Sequence, residues 1–279
     1  MSNIDVKRTA KLFIGGAFPR SESGRTYEAK DKNKNFVANV ALASRKDGRD
    51  AVVAARAAFA KWSEATAYNR AQVLYRVSEI MQGRREQFVK ELSLWSKTKK
   101  QAENEVDEAI NRMVWFAGWA DKIAMVTGSN NPVAGPFFDF SIPEPTGVVA
   151  AVAPEDSALL GLVETIASIV VSGNTVIVIA SESQPLPAVS LAEVIATSDV
   201  PGGVVNILTG KTSELLPWIG SHMEIDGVDV AGLNKKQEDE VKLVGADNLK
   251  RISRFAPANH PERILSFMEH KTIWHPIGI

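Results

Sequence analysis

The chain has 279 residues, 45% of them hydrophobic, a formal net charge of −1 and no cysteine. It is long enough for one large or two modest cores, and its near-neutral balance offers no basic field for nucleic acid or anionic lipid, so neither is an expected partner. The lack of cysteine excludes disulfides, thiolate metal sites and a cysteine nucleophile from this chain. The opening MSNIDVKRTAKLF has no apolar signal core, and no run approaches the roughly 18 apolar residues of a membrane span. A soluble cytoplasmic protein is therefore expected.

Residues 11–31, KLFIGGAFPRSESGRTYEAKD, predict two short strands around Gly15-Gly16 and Ser21 to Gly24, a hairpin-like arm. The lysine-rich runs at Lys30 to Lys34 and Lys97 to Lys100 read as solvated faces. From Asp47 to Ser63, Val52, Val53, Ala57, Phe59 and Ala60 fall on one side of a helix. Arg70 to Met81, Arg84 to Leu94 and Ala102 to Lys122 repeat that spacing, the last with Trp115 and Trp119 at i, i+4 as packing residues. NNPVAGPFFDFSIPEPTG alternates Phe138 and Phe140 with polar neighbours between prolines, as an exposed hairpin strand would.

Val148 to Ala153, Thr175 to Ile179 and Val204 to Leu208 are short, β-branched apolar runs, the composition of parallel strands covered on both faces. Ala158 to Val171 and Leu186 to Thr197 have helical length and spacing between them. This βαβαβ pattern predicts an α/β fold: a doubly wound, Rossmann-like parallel sheet with a helical N-terminal half and a small antiparallel β arm. Ligands of such sheets lie beyond the carboxyl ends of the strands, here Pro154 to Ser157, Ala180 to Glu182 and Thr209-Gly210. Gly-x-Gly-x-x-Gly is absent, as are a P-loop, a Gly-x-Ser-x-Gly elbow and His-Glu-x-x-His. The four histidines are scattered, so no metal site is expected.

EPTGVVAAVAP, GNTVIVIASE and PGGVVNILTG, in this order and spacing, resemble the nucleotide-binding domain of the aldehyde dehydrogenase superfamily. FAGWADKI and GGAFPRSESGRTYEA resemble that family's upstream helix and opening hairpin, and NLKRIS its lead-in to a Glu-Leu-Gly-Gly-Lys segment. RFAPANHPERILSFMEHKTIWHPIG then follows directly, and MEHKTIWH resembles the family's extreme C-terminal strand. The resemblance implies a nucleotide-binding domain at 32–130 and 146–257 and an oligomerisation arm at 11–31, 131–145 and 258–279. It also implies that the catalytic domain is absent from this chain.

Family chemistry requires a cysteine thiolate, which forms a thiohemiacetal before hydride leaves for the nicotinamide. The family's Pro-Trp-Asn, whose Asn amide holds the substrate oxyanion, corresponds to Pro154-Glu155-Asp156, and an ionised Asp156 cannot donate that hydrogen bond. Its Lys-Pro-Ser-Glu corresponds to Ile179-Ala180-Ser181-Glu182, which keeps the Glu but loses the cation. Its Phe-Thr-Gly-Ser-x-x-x-Gly pyrophosphate turn corresponds to Val230 through Gln237, keeping Gly232 but placing Leu233 and Gln237 where backbone should approach phosphate. The resemblance thus implies no catalytic residue and a degenerate cofactor cleft around Pro154, Glu155, Asp156, Ser181, Glu182, Gly210 and Gly232. No cofactor is expected beyond weak binding of NAD or NADP.

Asp156 or Ser157 is expected to cap the helix beginning near Ala158, with Glu155 or Asp156 at its positive end, so that the protein's own carboxylates replace the ligand's phosphate and seal the pocket. The expected function is a non-catalytic, pseudoenzyme-like subunit, an oligomer joined through its β arm to a full-length aldehyde dehydrogenase or to itself. The alternatives are an NAD(P)-responsive binding module and, third, an oxidoreductase acting on aldehydes.

Overall fold

The computed structural model describes residues 9–96, 98–255 and 259–278. In chain order its elements are β1 (Thr9–Ala10), β2 (Thr26–Lys30), β3 (Phe36–Ala41), α1 (Arg45–Glu64), α2 (Ala67–Gly83), α3 (Arg85–Leu92), α4 (Lys99–Ala117) and α5 (Ile123–Thr127). The arm and the first half of the central sheet follow as β4 (Ser129–Asn131), β5 (Phe137–Pro145), β6 (Val148–Val152), α6 (Leu160–Val170) and β7 (Thr175–Ile179). The remainder is α7 (Leu186–Ala196), β8 (Val205–Leu208), α8 (Thr212–Ser221), β9 (Gly227–Asp229), α9 (Lys235–Gly245), β10 (Arg251–Ser253), α10 (Glu262–Leu265) and β11 (Met268–Pro276).

The central sheet is parallel throughout, in the order β10-β9-β6-β7-β8. Side chains of its middle strands alternate between two cores, as the two-residue repeat of a strand requires. Val149, Ala151, Val176 and Val178 enter the core built with α2, α3, α4, α6 and α7. Val148, Ala150, Val152, Ile177 and Ile179 enter the opposite one, with Ala51, Val52, Ala55 and Leu215 of α1 and α8. This is the expected doubly wound α/β arrangement, and it leaves the carboxyl ends of β6, β7 and β8 on one rim.

The arm is a three-stranded antiparallel sheet in the order β11-β5-β4, with Met268 opposite Pro145 and Pro276 opposite Phe137. Residues 11–31, grouped with this arm on resemblance, lie elsewhere. β2 pairs with β3, and Phe13 exchanges backbone hydrogen bonds with Ile207 of β8 at 3.0 and 2.8 Å. The physical reason is edge protection: β8 would otherwise end the parallel sheet with unpaired backbone groups. Gly15 (φ 62°) and Gly16 (φ 82°) make the reversal possible, because an L side chain is strained in that region. Asp47, within the capping box that starts α1, holds the same segment by accepting from Ser21 Oγ at 2.8 Å and Glu22 N at 3.0 Å.

The helix predicted across 102–122 ends at Ala117, and a short α5 follows. Trp115 and Trp119 meet with ring centres 5.6 Å apart and planes tilted by 50°, and pack half-buried against the larger core, as their spacing suggested. The Lys97 part of one lysine run lies outside the described residues. Among the described residues, no helix is long and apolar enough to cross a membrane.

Candidate functional site

A cleft of about 580 Å³ opens at the carboxyl rim of the parallel sheet. Glu155, Glu182, Ser183, Thr212, Ser213, Gly232 and Gln237 line it from the sheet side, and Tyr27 to Lys30 of β2 form the facing wall. The expectation of a sealed pocket is therefore corrected: volume remains open here. Protein side chains instead take up the backbone donors that a phosphate would use.

The start of α6 illustrates this substitution. The N–H groups of Leu159 and Leu160 donate to Glu105 Oε1 at 3.0 and 3.3 Å, and that of Gly161 donates to Ser157 Oγ at 3.0 Å. Ser157 thus meets one donor of the first turn, but the N-cap position itself is Leu159, with no side-chain cap, and Asp156 is exposed and provides none. The carboxylate at the positive end of the helix comes from α4, because the Pro154–Ser157 turn carries Asp156 away while Glu105 faces the helix axis. Such a cap contributes on the order of 1 kcal/mol, and a half-buried charge at a helix end up to about 2 kcal/mol.

Glu155 performs the equivalent role at the turn after β7. Its carboxylate accepts from Glu182 N (2.8 Å), Ser181 Oγ (2.7 Å), Ser183 Oγ (2.8 Å) and Ser183 N (3.2 Å). Partial burial pushes this carboxyl up, but the combined donors outweigh it and hold Glu155 below the usual carboxylate range. Glu182 is displaced the other way, raised by burial and by the adjacent Glu155 charge. Burial and the same two carboxylates also raise the Tyr27 phenol. A second anion such as a pyrophosphate would meet a wall that is already acidic.

At α9, Asn234 and Gln237 form a reciprocal capping box, each side chain accepting from the other's backbone N–H at 3.0 and 3.1 Å. Leu233 is 4% exposed and belongs to a core. Arg254 pins the preceding turn by donating to Leu233 O at 2.6 Å, Ala231 O at 3.2 Å and Glu238 Oε2 at 2.7 Å. Hydrogen bonds from Lys242 and Arg254 lower the Glu238 carboxyl to about 2. Gly232 touches the β6 backbone, its N–H donating to Val152 O at 3.0 Å, where an added Cβ would lie 2.4 Å from Ala153 O.

Of the residues singled out in sequence, Glu155, Ser181, Glu182 and Gly232 converge at this rim. Pro154 packs on Gly161, and Gly210 is buried against Ala43, where its φ of 142° favours glycine and an added Cβ would lie 3.0 Å from Ala43 N; neither lines the cleft. Tyr27, Glu105 and Arg254 were not foreseen. Gln237 three residues after Asn234 was a capping-box signal present in the sequence. No group of three or more His, Asp or Glu residues able to hold a metal occurs among the described residues.

The Aldehyde dehydrogenase family profile matches residues 18–266. The chain is 31% identical over 268 residues to "Aldehyde dehydrogenase, cytosolic 1" of Elephantulus edwardii, covering 94% of this chain and 52% of that protein. It is 32% identical over 257 residues to "Retinal dehydrogenase 2" of Gallus gallus, covering 90% and 49% respectively. Among solved structures, the NAD+ complex of an aldehyde dehydrogenase from Bacillus cereus superposes with a TM-score of 0.82 at 25% identity, covering 90% of this chain and 53% of that one. HpcC from Thermus thermophilus gives 0.83 at 26%, covering 88% and 48%. The chain thus spans about half the length of the relatives it matches. With a matching profile over most of its length and the same doubly wound frame, this chain belongs to the aldehyde dehydrogenase family.

Proposed function

We propose that this chain is a non-catalytic, aldehyde dehydrogenase-like subunit that joins a full-length aldehyde dehydrogenase through β5 and β11 as a structural or regulatory partner. The observation that carries this reading is the capture of rim donors by Glu105, Glu155 and the Asn234–Gln237 box, together with an arm whose β11 edge is unpaired among the described residues. The sequence contains no cysteine to act as nucleophile, and Asp156 stands where an oxyanion donor would be needed. Exposed large side chains at the arm, Phe137, Phe138, Ile142 and Trp274, suit an assembly surface. Strand addition supplies backbone hydrogen bonds for affinity, and side-chain pockets supply selectivity. The cytosolic names of several relatives support a cytoplasmic setting.

Co-expression with full-length aldehyde dehydrogenases of the same source, affinity capture and native mass determination test this function. A defined hetero-oligomer is the expected outcome; a closed homo-oligomer that captures no relative overturns it. The open cleft favours a second reading, an NAD(P)-responsive module, since its volume and Glu182 remain available to a weakly bound nucleotide.

A further inference from the structure

A buried charge cluster, none of whose members lines the cleft, lies where the C-terminal segment packs on α6 and β9. Arg263 of α10 is 5% exposed and donates through Nε and Nη2 to Asp229 Oδ2 at 3.0 and 2.7 Å. Its Nη2 also reaches Thr165 Oγ1 at 2.6 Å, its Nη1 lies 3.5 Å from Glu164 Oε2, and its guanidinium sits 5.6 Å from the Phe255 ring centre. Glu164 is paired in turn with Arg112 of α4. Two cations and two carboxylates from four elements therefore compensate each other in a buried cluster.

The chain enters β11 five residues later. Phe267 is fully buried, and its carbonyl accepts from Asn174 Nδ2 at 2.8 Å and Thr146 N at 3.2 Å. Beyond it, only Met268 of the nine β11 residues is buried. Pairing with β5 alone gives the strand little apolar anchorage, and a sparsely buried β ribbon is marginal in water. Docking of Arg263 supplies a fixed point from which β11 leaves.

We propose that Arg263 is a positioning residue for the arm: by neutralising Asp229 and Glu164 it latches α10 to α6 and β9 and so holds β11 against β5 with its outer edge ready for another strand. That the edge receives a partner rests on the proposed function; the latch does not. The alternative for the cluster is general stabilisation, and the two differ in where protection is lost. Removing a single member of a buried ion pair leaves an uncompensated charge, which the latch answers by undocking α10 and freeing β11 while the central strands stay closed.

Hydrogen exchange of the full chain, comparing peptides covering 268–276 with those covering 148–152 and 175–179, separates these outcomes. Arg263→Met is expected to lower protection of 268–276 about 100-fold and leave the central strands unchanged, with Arg263→Lys intermediate because it keeps the charge but not the fork. Should Arg263→Met not fold, Thr165→Val, which removes one Arg263 contact, is expected to show the same selective loss at smaller size. Equal loss in all three segments, or no loss at 268–276, overturns the latch. Selective loss in a protein that never captures a relative keeps the latch and rejects the proposed function.

Discussion

Glu105 on α4 and Leu159 at the start of α6 lie 54 residues apart and meet in a 3.0 Å hydrogen bond from backbone N–H to carboxylate. An acidic side chain from a neighbouring helix thus occupies a position suited to an anion. Glu105→Ala is expected to cost about 1–2 kcal/mol, a few degrees in Tm for a chain of this size. Added phosphate should recover part of that loss in the variant and none in the wild type, as read by thermal unfolding with and without the ion. Equal responses would show that the freed donors do not take an anion.

Glu155 sets a pH dependence with a defined sign. Its folded-state pKa lies below the ordinary value, so its contribution is complete above the carboxylate range and disappears as pH falls through the depressed folded pKa. The Tm difference between wild type and Glu155→Gln should be largest near neutrality and close in acid. A difference that stayed constant with pH would assign the effect to packing rather than charge.

Glu182 predicts the opposite sign. With its pKa raised, the ionised group opposes folding at neutral pH, and that cost vanishes once the pH is below the unfolded-state value. Glu182→Gln is expected to raise Tm slightly at pH 7 and to match the wild type in acid. A drop in Tm at pH 7 would mean that the carboxylate makes a stabilising contact.

The capping box at α9 bears on nucleotide affinity. Calorimetry with millimolar NAD or NADP is expected to give no heat for the wild type. Gln237→Gly combined with Leu233→Ser should open the turn to an anion, with a helix penalty near 1 kcal/mol from the glycine. Clear saturable heat in the wild type would favour the nucleotide-responsive reading over a structural subunit.

The central βαβαβ unit was legible because Val148–Val152, Thr175–Ile179 and Val205–Leu208 are short runs, apolar except at Thr175 and Asn206, whose turns carry glycine and proline. β9 and β10 were not, since three residues each give no periodicity to detect. Their pairing depends on neighbours already in place. Glu155 was recognisable as an anomaly at the strand end, but its four donors come from residues 181–183 and required the two turns to meet. Glu105 looked like any polar residue of an amphipathic helix. Arg263 and Asp229 gave no local signal at all, because the meaning of each lies in the burial of the other.

Phe13 closes one end of the parallel sheet, while β11 leaves a nine-residue border that no other strand among the described residues covers. Glu269, Lys271 and His275 stand exposed along it and Pro276 ends it, a pattern that discourages indiscriminate pairing. The Glu269 and Lys271 charges slow clumping without abolishing it, since backbone donors and acceptors remain on offer to any extended segment. If a partner completes the border as proposed, solubility of this chain should depend on supply: copies in excess of that partner would be the first to precipitate and the first to be degraded.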